Sequence, residues 1–167
     1  GDHLVAYMAR VSNPKGQSKD FTKLIRYLIK HKHWSPFEMV NMCVEINTTR
    51  SIASQILRHR SFSFQEFSQR YASVEELGDI SIPNLRRQDV KNRQNSIDDL
   101  NPRAVEIWNQ MIADQFDKSQ ALYRLLLANG VAKECAREVL PLGSPTRLYM
   151  NGSIRSWMHY CDLRCDV

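Results

Sequence analysis

The chain has 167 residues, of which 43% are hydrophobic, and it carries a formal net charge of +5 at neutral pH. This length suits one domain, residues 1–167, with a core of its own, and is short for two. No apolar run approaches the roughly 20 residues of a transmembrane span and the N-terminus lacks the regions of a signal peptide, so we expect a cytoplasmic protein without a membrane partner. The positive charge suits a phosphorylated small molecule or a nucleic acid equally well.

The N-terminal part of the chain predicts two helices and a strand. Apolar residues at helical spacing indicate a first helix over residues 3–10 and a second, amphipathic helix over Ser18–Lys32. Pro36 prevents a smooth continuation of the second helix. Beyond it, apolar and polar residues alternate over residues 40–46, which predicts a half-buried strand.

A third helix is predicted next. Thr48 or Thr49 can cap its start, and the apolar spacing carries it to about residue 60. On this prediction Gln55 and Arg58 lie one helical turn apart on the same side. The side chains expected to point inward are Ile52, Ile56 and Leu57.

The longest predicted helix follows a polar stretch. Turn-rich sequence over residues 78–101 predicts a loop with one short ordered piece. Asn101 and Pro102 are typical of a helix start, and the helix that they open is expected to end near Gly130. A shorter helix is predicted over Lys133–Val139.

The C-terminal part predicts a strand over Thr146–Met150 and a last helix that begins near Ser153 and spans Arg155–Arg164. The predicted helices outnumber the predicted strands, and the sequence contains no internal repeat. The expected fold class is α+β, a predominantly helical single domain with a small, mostly antiparallel sheet.

The densest run of polar and aromatic side chains covers residues 58–71. It holds three arginines, a histidine and three serines among four aromatic rings. Guanidinium groups bind phosphate or a polarised carbonyl in bidentate fashion, and aromatic rings exclude water or stack on a planar ligand. The run therefore predicts a site for a nucleotide-like anion. Its partly alternating segment Ser-Phe-Ser-Phe-Gln-Glu-Phe also fits an amphipathic edge strand between surface arginines.

The order of residues in this run is more specific than its composition. Arg58, His59 and Arg60 are followed after seven residues by Ser68, within the string QILRHRSFSFQEFSQRY. This string resembles the signature of the flavin-dependent thymidylate synthases. The resemblance implies that family's fold and its methyltransferase reaction, in which dUMP becomes dTMP. It also implies FAD as the cofactor and source of hydride, NADPH as its reductant and 5,10-methylenetetrahydrofolate as the carbon donor.

A second motif lies just after the second predicted helix. The string HWSPFE at residues 33–38 is similar to the family's H-x-S-P-F-E-H motif, with Met39 in place of the closing histidine. By resemblance, Ser35 and Glu38 lie near the flavin, and His33 lies near both the flavin and the folate. The role of position 39 stays open, because methionine removes an imidazole. Taken alone, a His-Trp-Ser-Pro turn is more often a helix-ending cap.

A third motif lies near the C-terminus. In the string NGSIRSWMHYCDLR, Arg155 and His159 are four residues apart and share a helical face. A solvated basic face is the commoner fate of such a pair. By resemblance, however, both positions border the flavin, and Arg164 holds the uracil ring.

The resemblance assigns the sites residue by residue. The predicted dUMP-binding residues are Gln55, Arg58, Glu66, Ser68, Arg70, Arg137 in KECAREVLP, and Arg164. The predicted FAD-binding residues are Ser12 in ARVSNP, Ser35, Glu38, Arg58, His59, Arg60, Arg155 and His159. Arg164 and Arg58 are the catalytic candidates. Ser68 is expected to bind phosphate rather than attack, because a serine nucleophile needs an adjacent base.

The cysteines and glycines are consistent with this chemistry. Folate-only synthases activate uracil with a cysteine in a Pro-Cys-His context, and none of the four cysteines here has that context. They are expected to be reduced thiols, and no metal site is expected because no zinc-ligand spacing is complete. Arginines that polarise the uracil carbonyls while reduced flavin supplies hydride fit the sequence. NADPH would bind without a glycine-rich dinucleotide fingerprint.

By resemblance, the protein is a homotetramer with active sites shared between subunits.

A nucleic-acid-binding module is the main alternative. It would use the basic balance of the chain and the cations Arg86, Arg87, Lys91 and Arg93 in the polar loop. Such a module would bind DNA or RNA with a steep dependence on salt and would hold no chromophore. The ordered motifs favour the enzyme, and no nucleic-acid partner is expected.

An inactive relic that still binds dUMP and FAD is the third interpretation. Met39 departs from the family pattern, and the chain stops three residues after Arg164. Members of the family continue with a T-Q-x-E-H-R-like stretch and a further helix, so we expect a chain truncated at its C-terminus. Turnover would separate the relic from the enzyme.

Overall fold

The computed structural model describes residues 1–16, 20–70, 77 and 81–165. Its α-helices are α1 (Asp2–Ala9), α2 (Thr22–Lys30), α3 (Ser35–Glu38), α4 (Arg50–Ile56), α5 (Pro102–Ala128), α6 (Lys133–Ala136) and α7 (Ile154–Arg164). Its β-strands are β1 (Asn41–Thr49), β2 (Ser63–Glu66), β3 (Arg87–Gln88), β4 (Ser96–Ile97) and β5 (Pro145–Ser153). Turns of 3₁₀ helix cover Pro14–Gly16 and Arg137–Val139. The fold is predominantly helical with a small sheet, which confirms the predicted α+β class.

β5 is the middle strand of a three-stranded sheet in the order β1-β5-β2. Alternate residues of β5 are buried, and the side chains of Leu148 and Met150 are fully inaccessible, so one face of this strand lies in the core. β3 and β4 form a separate antiparallel hairpin with Arg87 opposite Ile97. This hairpin is the ordered piece predicted within the polar stretch, of which residues 78–80 lie outside the described residues.

The backbone contacts divide the chain into two compact units. Unit 1 comprises Gly1–Ile46, Leu57–Gln65 and Leu148–Val167. Unit 2 comprises Asn47–Ile56 and Glu66–Arg147. The expectation of a single domain over residues 1–167 stays a prediction.

The core of unit 1 lies where α1, α2 and α3 meet. Its buried side chains are Val5, Leu28, Phe37 and Val40. The side chains packed against them are Ala9, Leu24, Ile25, Trp34, Ile154 and Met158. Because this second set includes residues of α7, the core holds α3 and α7 in place, and these two helices carry Glu38 and Arg155.

Unit 2 is built on α5, the longest helix in the described part of the chain. Asn101 caps it as predicted, since its Oδ1 accepts hydrogen bonds from the backbone N–H groups of Arg103 at 3.0 Å and Ala104 at 3.4 Å. The helix ends at Ala128, and Gly130 follows with a φ of +80°, a conformation that favours glycine. Neither α5 nor any other helix among the described residues is long and apolar enough to cross a membrane.

The predicted third helix is shorter than expected. Thr49 Oγ1 accepts a hydrogen bond from the Ile52 N–H at 3.4 Å, as predicted for a cap, but α4 ends at Ile56. Arg58 therefore lies beyond the helix, and the prediction that it shares a helical face with Gln55 is wrong. The inward orientation predicted for Ile52 and Leu57 is also wrong, because these side chains are 50% and 36% exposed.

Two helical predictions near the N-terminus also need correction. α2 ends at Lys30 because Lys32 has a φ of +56°, which an α-helix cannot accommodate. Its start is Thr22, and the predicted start at Ser18 lies outside the described residues. The helical turn α3 was not predicted, although Pro36 is well suited to the first turn of a helix.

Candidate active site

A pocket of about 400 Å³ opens beside α7 in unit 1. This volume lies within the range of about 300–1,000 Å³ that is usual for small-molecule sites. The lining residues are Trp34, Glu38, Ser61, Arg155, Ser156, Met158, His159 and Asp162. They bring together a guanidinium, an imidazole, two carboxylates, two hydroxyls and an indole, so the pocket can bind a polar, partly aromatic ligand.

α7 presents its residues to the pocket through helical spacing. Its lining positions lie on one face because they recur at three- and four-residue steps between residues 155 and 162. Ser153 caps the helix, since its Oγ accepts a hydrogen bond from the Ser156 N–H at 3.2 Å. The Ile154 N–H donates to the carbonyl of Val40 at 2.8 Å, which fixes the first turn of α7.

Glu38 is the centre of a hydrogen-bonded network in the pocket. Arg155 Nη1 donates to Glu38 Oε1 at 2.6 Å, and Ser153 Oγ donates to Oε2 at 2.9 Å. The hydrogen bond from Ser153, and after it the one from Arg155, lowers the pKa of the Glu38 carboxyl. Glu38 is therefore a carboxylate at neutral pH, and it orients Arg155 while leaving other guanidinium N–H groups for a ligand.

His59 contacts Arg164 in the same unit. The distance between Arg164 Nη2 and His59 Nε2 is 3.2 Å. Because a guanidinium can only donate, His59 Nε2 accepts, and the imidazole is neutral with its proton on Nδ1. Burial, followed by the positive charges of Arg164 and His159, lowers the pKa of His59. His59 thus orients Arg164 without adding a second positive charge.

An aromatic cluster packs against His59. The ring of Tyr160 lies 4.8 Å from His59 and 5.8 Å from Phe62, and Phe62 lies 4.9 Å from Trp157. Gly152 is required beside the cluster, because a Cβ there would lie 2.5 Å from Phe62 Cδ1. The loop that carries His59 is therefore packed against α7.

The candidate dUMP residues of unit 2 begin at the end of β2. Thr146 Oγ1 donates to Glu66 Oε1 at 3.0 Å, and the carboxylate lies 3.9 Å from Arg50 Nη1. The Phe67 N–H donates to the carbonyl of Arg147 at 2.8 Å. These bonds anchor the backbone just before Ser68.

Arg70 and Arg137 meet at one residue of α6. Arg70 Nη2 lies 3.5 Å from Glu134 Oε2, and Arg137 Nε donates to the backbone carbonyl of Glu134 at 3.3 Å. Arg137 Nε also lies 3.6 Å from Glu138 Oε1. Two guanidinium groups that are distant in sequence thus contact the same residue through different atoms, and guanidinium groups suit an anion.

A family model described as thymidylate synthase complementing protein matches residues 1–167. A flavin-dependent thymidylate synthase from Synechocystis sp. is 56% identical over 163 residues, which cover 98% of this chain and 74% of that protein. The chain belongs to the flavin-dependent thymidylate synthase family. A probable flavin-dependent thymidylate synthase from Paramecium bursaria Chlorella virus 1 is 51% identical over 166 residues, or 98% of this chain and 76% of that protein.

Solved structures support the same relationship. The crystal structure of the UMP/dUMP methylase PolB from Streptomyces cacaoi, bound with 5-Br UMP, has a TM-score of 0.80 and 28% sequence identity to the chain. The match covers 96% of this chain and 70% of PolB. The predicted family fold is therefore confirmed.

The structure brings together part of the residue set predicted for the flavin. Glu38, Arg155 and His159 line the pocket of unit 1, and His59 lies in the same unit against Arg164. The predicted flavin residues that are exposed and outside this lining are Ser12, Ser35, Arg58 and Arg60. Among the described residues, no hydrogen bond or ion pair joins the guanidinium group of Arg58 or Arg60 to another side chain, and both residues are exposed.

The residues predicted for dUMP fall in both units. Those in unit 2 are Gln55, Glu66, Ser68, Arg70 and Arg137, and those in unit 1 are Arg58 and Arg164. Gln55 is exposed at the end of α4. The assignments to flavin-dependent thymidylate synthase sites stay predictions.

Sequence reasoning missed five residues that line the pocket. They are Trp34, Ser61, Ser156, Met158 and Asp162. Two of them were accessible from the sequence, because Met158 and Asp162 follow Arg155 by three and seven residues on the predicted helix. The contacts of Glu134 with Arg70 and of Thr146 with Glu66 depend on tertiary structure, and no local pattern signals them.

The donor set of the pocket fits a flavin nucleotide. Arg155 and His159 supply hydrogen-bond donors for phosphate or carbonyl oxygens, and Trp34 supplies an aromatic surface. Glu38 is committed to Arg155 and Ser153, so it reinforces the guanidinium rather than repelling an anion. Asp162 adds a carboxylate that can accept from ribose or ribityl hydroxyls.

Proposed function

We propose that the chain is a flavin-dependent thymidylate synthase that converts dUMP to dTMP, with carbon from 5,10-methylenetetrahydrofolate and electrons from NADPH through FAD. The observation that carries the proposal is the Glu38–Arg155–Ser153 network in a pocket that suits a flavin, in a chain that matches the family along its whole length. The relatives carry this activity in their names. PolB, a UMP/dUMP methylase, supports a uridine monophosphate as the substrate.

The flavin site uses unit 1. Arg155 and His159 bind the cofactor from α7, and Glu38 keeps the Arg155 guanidinium in position. When bound, the flavin supplies the hydride that reduces the transferred one-carbon unit to a methyl group.

The dUMP phosphate is bound by Arg70 and Arg137, with Ser68 donating a hydrogen bond. The guanidinium groups offer several N–H donors in a planar fork, which matches phosphate geometry. Ser68 acts in binding, because a serine nucleophile needs an adjacent base and the order of residues around Ser68 fits phosphate binding.

Arg164 polarises the uracil ring. Its bond to the neutral imidazole of His59 uses one N–H, and the remaining donors face developing negative charge on the uracil carbonyls. Arg58, which is exposed and bonded to no described residue, supplies a second guanidinium. These positive groups replace the covalent activation that a cysteine nucleophile would give.

A homotetramer with shared sites is part of the proposal. α5 exposes a stripe of large apolar side chains at helical spacing: Ile107 is 61% exposed, Met111 62% and Leu125 59%. Exposed apolar stripes of this kind are typical of surfaces that bind another protein.

A cytoplasmic location and the use of NADPH rather than another reductant also belong to the proposal.

The structure disfavours the nucleic-acid alternative. Arg87 Nε donates to Asp99 Oδ1 at 2.8 Å, and Arg86 lies 4.0 Å from Asp98. Two cations of the polar loop are thus neutralised within the hairpin, where a phosphate backbone would need them free.

The test is turnover with all substrates, followed by identification of both products. Purified protein is mixed with FAD, dUMP, 5,10-methylenetetrahydrofolate and NADPH, and dTMP and the folate product are measured by mass spectrometry. Because the flavin supplies the hydride, the folate should leave as tetrahydrofolate, and omission of FAD should abolish dTMP. Formation of dihydrofolate would show that the folate itself is the reductant and would contradict the proposal.

A further inference from the structure

Glu134 contacts both arginines that the proposed function assigns to the phosphate of dUMP. Its carboxylate Oε2 lies 3.5 Å from Arg70 Nη2, and its backbone carbonyl accepts a hydrogen bond from Arg137 Nε at 3.3 Å. It makes these contacts from α6, which packs against α5 and the 3₁₀ turn that carries Arg137. One residue thus links two guanidinium groups through two different atoms.

The ion pair contributes little to folding. The side chains of Arg70 and Glu134 are 55% and 54% exposed, and exposed ion pairs contribute about 0–1 kcal/mol to stability. Variants of Glu134 should therefore fold normally. The Glu134 carboxylate should instead affect dUMP binding, because it determines the position of the Arg70 guanidinium.

We propose that Glu134 is a positioning residue for the dUMP phosphate, which holds the Arg70 guanidinium in place before the nucleotide binds. The inference rests on the proposed function, because that function assigns both arginines to dUMP. The Glu134 carboxylate lies 3.5 Å from one terminal nitrogen of Arg70, Nη2, and leaves the N–H groups on the other nitrogens for phosphate oxygens. Without it, Arg70 must lose its rotamer freedom on binding, which weakens association.

Glu138 provides a matched control. Its carboxylate also lies beside Arg137, at 3.6 Å from Nε, but the structure gives it no contact with Arg70. If only the local negative charge mattered, removal of either glutamate would change dUMP binding equally. If Glu134 positions Arg70, removal of Glu134 should have the larger effect, because of the two glutamates only Glu134 contacts Arg70. Since the bond from Arg137 goes to the Glu134 backbone, substitution at position 134 leaves that bond in place.

The experiment compares Glu134→Ala, Glu134→Gln and Glu138→Ala with the unaltered protein. We expect Glu134→Ala to raise the KM for dUMP about threefold to tenfold with kcat nearly unchanged, because one side chain must now be ordered on binding. Glu134→Gln, whose amide oxygen can accept a hydrogen bond from Arg70, should recover part of the loss. Glu138→Ala should stay within about twofold of the unaltered protein. Unchanged circular dichroism and FAD affinity would exclude misfolding.

Two further measurements make the inference specific. In an Arg70→Ala background, Glu134→Ala should have no additional effect on the dissociation constant of dUMP measured by calorimetry. Binding of deoxyuridine, which lacks the phosphate, should be the same with and without Glu134→Ala. Equal dUMP affinity, or tighter binding because the carboxylate only competes with phosphate, would overturn the inference while dTMP formation continued. An unaltered protein that bound no dUMP would overturn both the inference and the proposed function.

Discussion

Arg155 in unit 1 and Arg70 in unit 2 each pair with a glutamate, and the two pairs differ in how they are anchored. The Arg155–Glu38 bond is 2.6 Å long, and Glu38 receives a second hydrogen bond from Ser153. The Arg70–Glu134 contact is 3.5 Å. The first pair stands on helices held by the core of unit 1, which fixes its geometry before any ligand arrives. The second pair is longer and lies between exposed side chains, so Glu134 restrains the Arg70 guanidinium less firmly than Glu38 restrains Arg155.

Removal of Arg155 should give the largest effect. Hydrogen bonds between charged groups contribute about 1.5–3 kcal/mol, so Arg155→Ala should weaken FAD binding about 10- to 150-fold. FAD titration followed by flavin fluorescence measures the change. The control is Arg26→Ala, which removes an exposed arginine of α2 outside the pocket and should leave the affinity unchanged. Equal FAD affinity in Arg155→Ala would remove the pocket of unit 1 as the flavin site.

An alanine in place of a glycine beside an aromatic ring should affect FAD binding in unit 1 but not in unit 2. In Gly152→Ala the new Cβ would lie 2.5 Å from Phe62 Cδ1, and in Gly143→Ala it would lie 2.5 Å from Phe116 Cζ. Overpacking costs about 1–3 kcal/mol, which urea denaturation would measure for both variants. Only Gly152→Ala should also weaken FAD binding, because Phe62 belongs to the aromatic cluster beside His59. A loss of FAD affinity in Gly143→Ala would show that the distinction between the units is wrong.

The neutral state of His59 predicts a pH dependence of stability. Its pKa in the folded protein is lowered from the ordinary value of 6.5. As the pH falls below 6.5, the unfolded imidazole binds a proton that the folded one resists, so the free energy of unfolding should decrease. The effect should be below about 1 kcal/mol because the group is only partly buried. His59→Gln should flatten this part of the curve in urea denaturations at pH 7.5 and 5.5. An identical slope in the variant would show that His59 does not cause it.

A change in the core of unit 2 should give the smallest effect, with the opposite sign. Tyr123 is 2% exposed, and its hydroxyl has no hydrogen-bond partner among the described residues. A buried hydroxyl without a partner is destabilising, so Tyr123→Phe should raise the free energy of unfolding by up to about 1 kcal/mol. FAD and dUMP affinities should not change. A loss of stability instead would reveal a partner for the hydroxyl.

Local signals in the sequence predicted the helices well. The start of α5 was found because Asn101 and Pro102 are strong N-terminal signals, and its end because Gly130 adopts a positive φ. The end of α4 was missed, since the residues after Ile56 are all compatible with helix. The chain leaves the helix there because β2 begins at Ser63, and strand pairing is a tertiary interaction that local propensity does not record.

The candidate site was predicted where its residues share one element. Arg155 and His159 share a face of α7, so their spacing sufficed to place them together. Contacts between segments, such as Arg70 with Glu134 or Ser153 with Glu38, join residues far apart in sequence. Helical spacing does not predict these contacts, because they form only when the fold brings the segments together.

The direct junction between β5 and α7 restricts how this sequence can change. β5 ends at Ser153 and α7 begins at Ile154, so no loop separates them. One inserted or deleted residue near this junction would rotate the rest of α7 by about 100° about its axis. Arg155 and His159 would then turn away from the pocket although every residue type was kept. Insertions and deletions at this junction should therefore be tolerated less well in active variants than substitutions of the exposed residues around it.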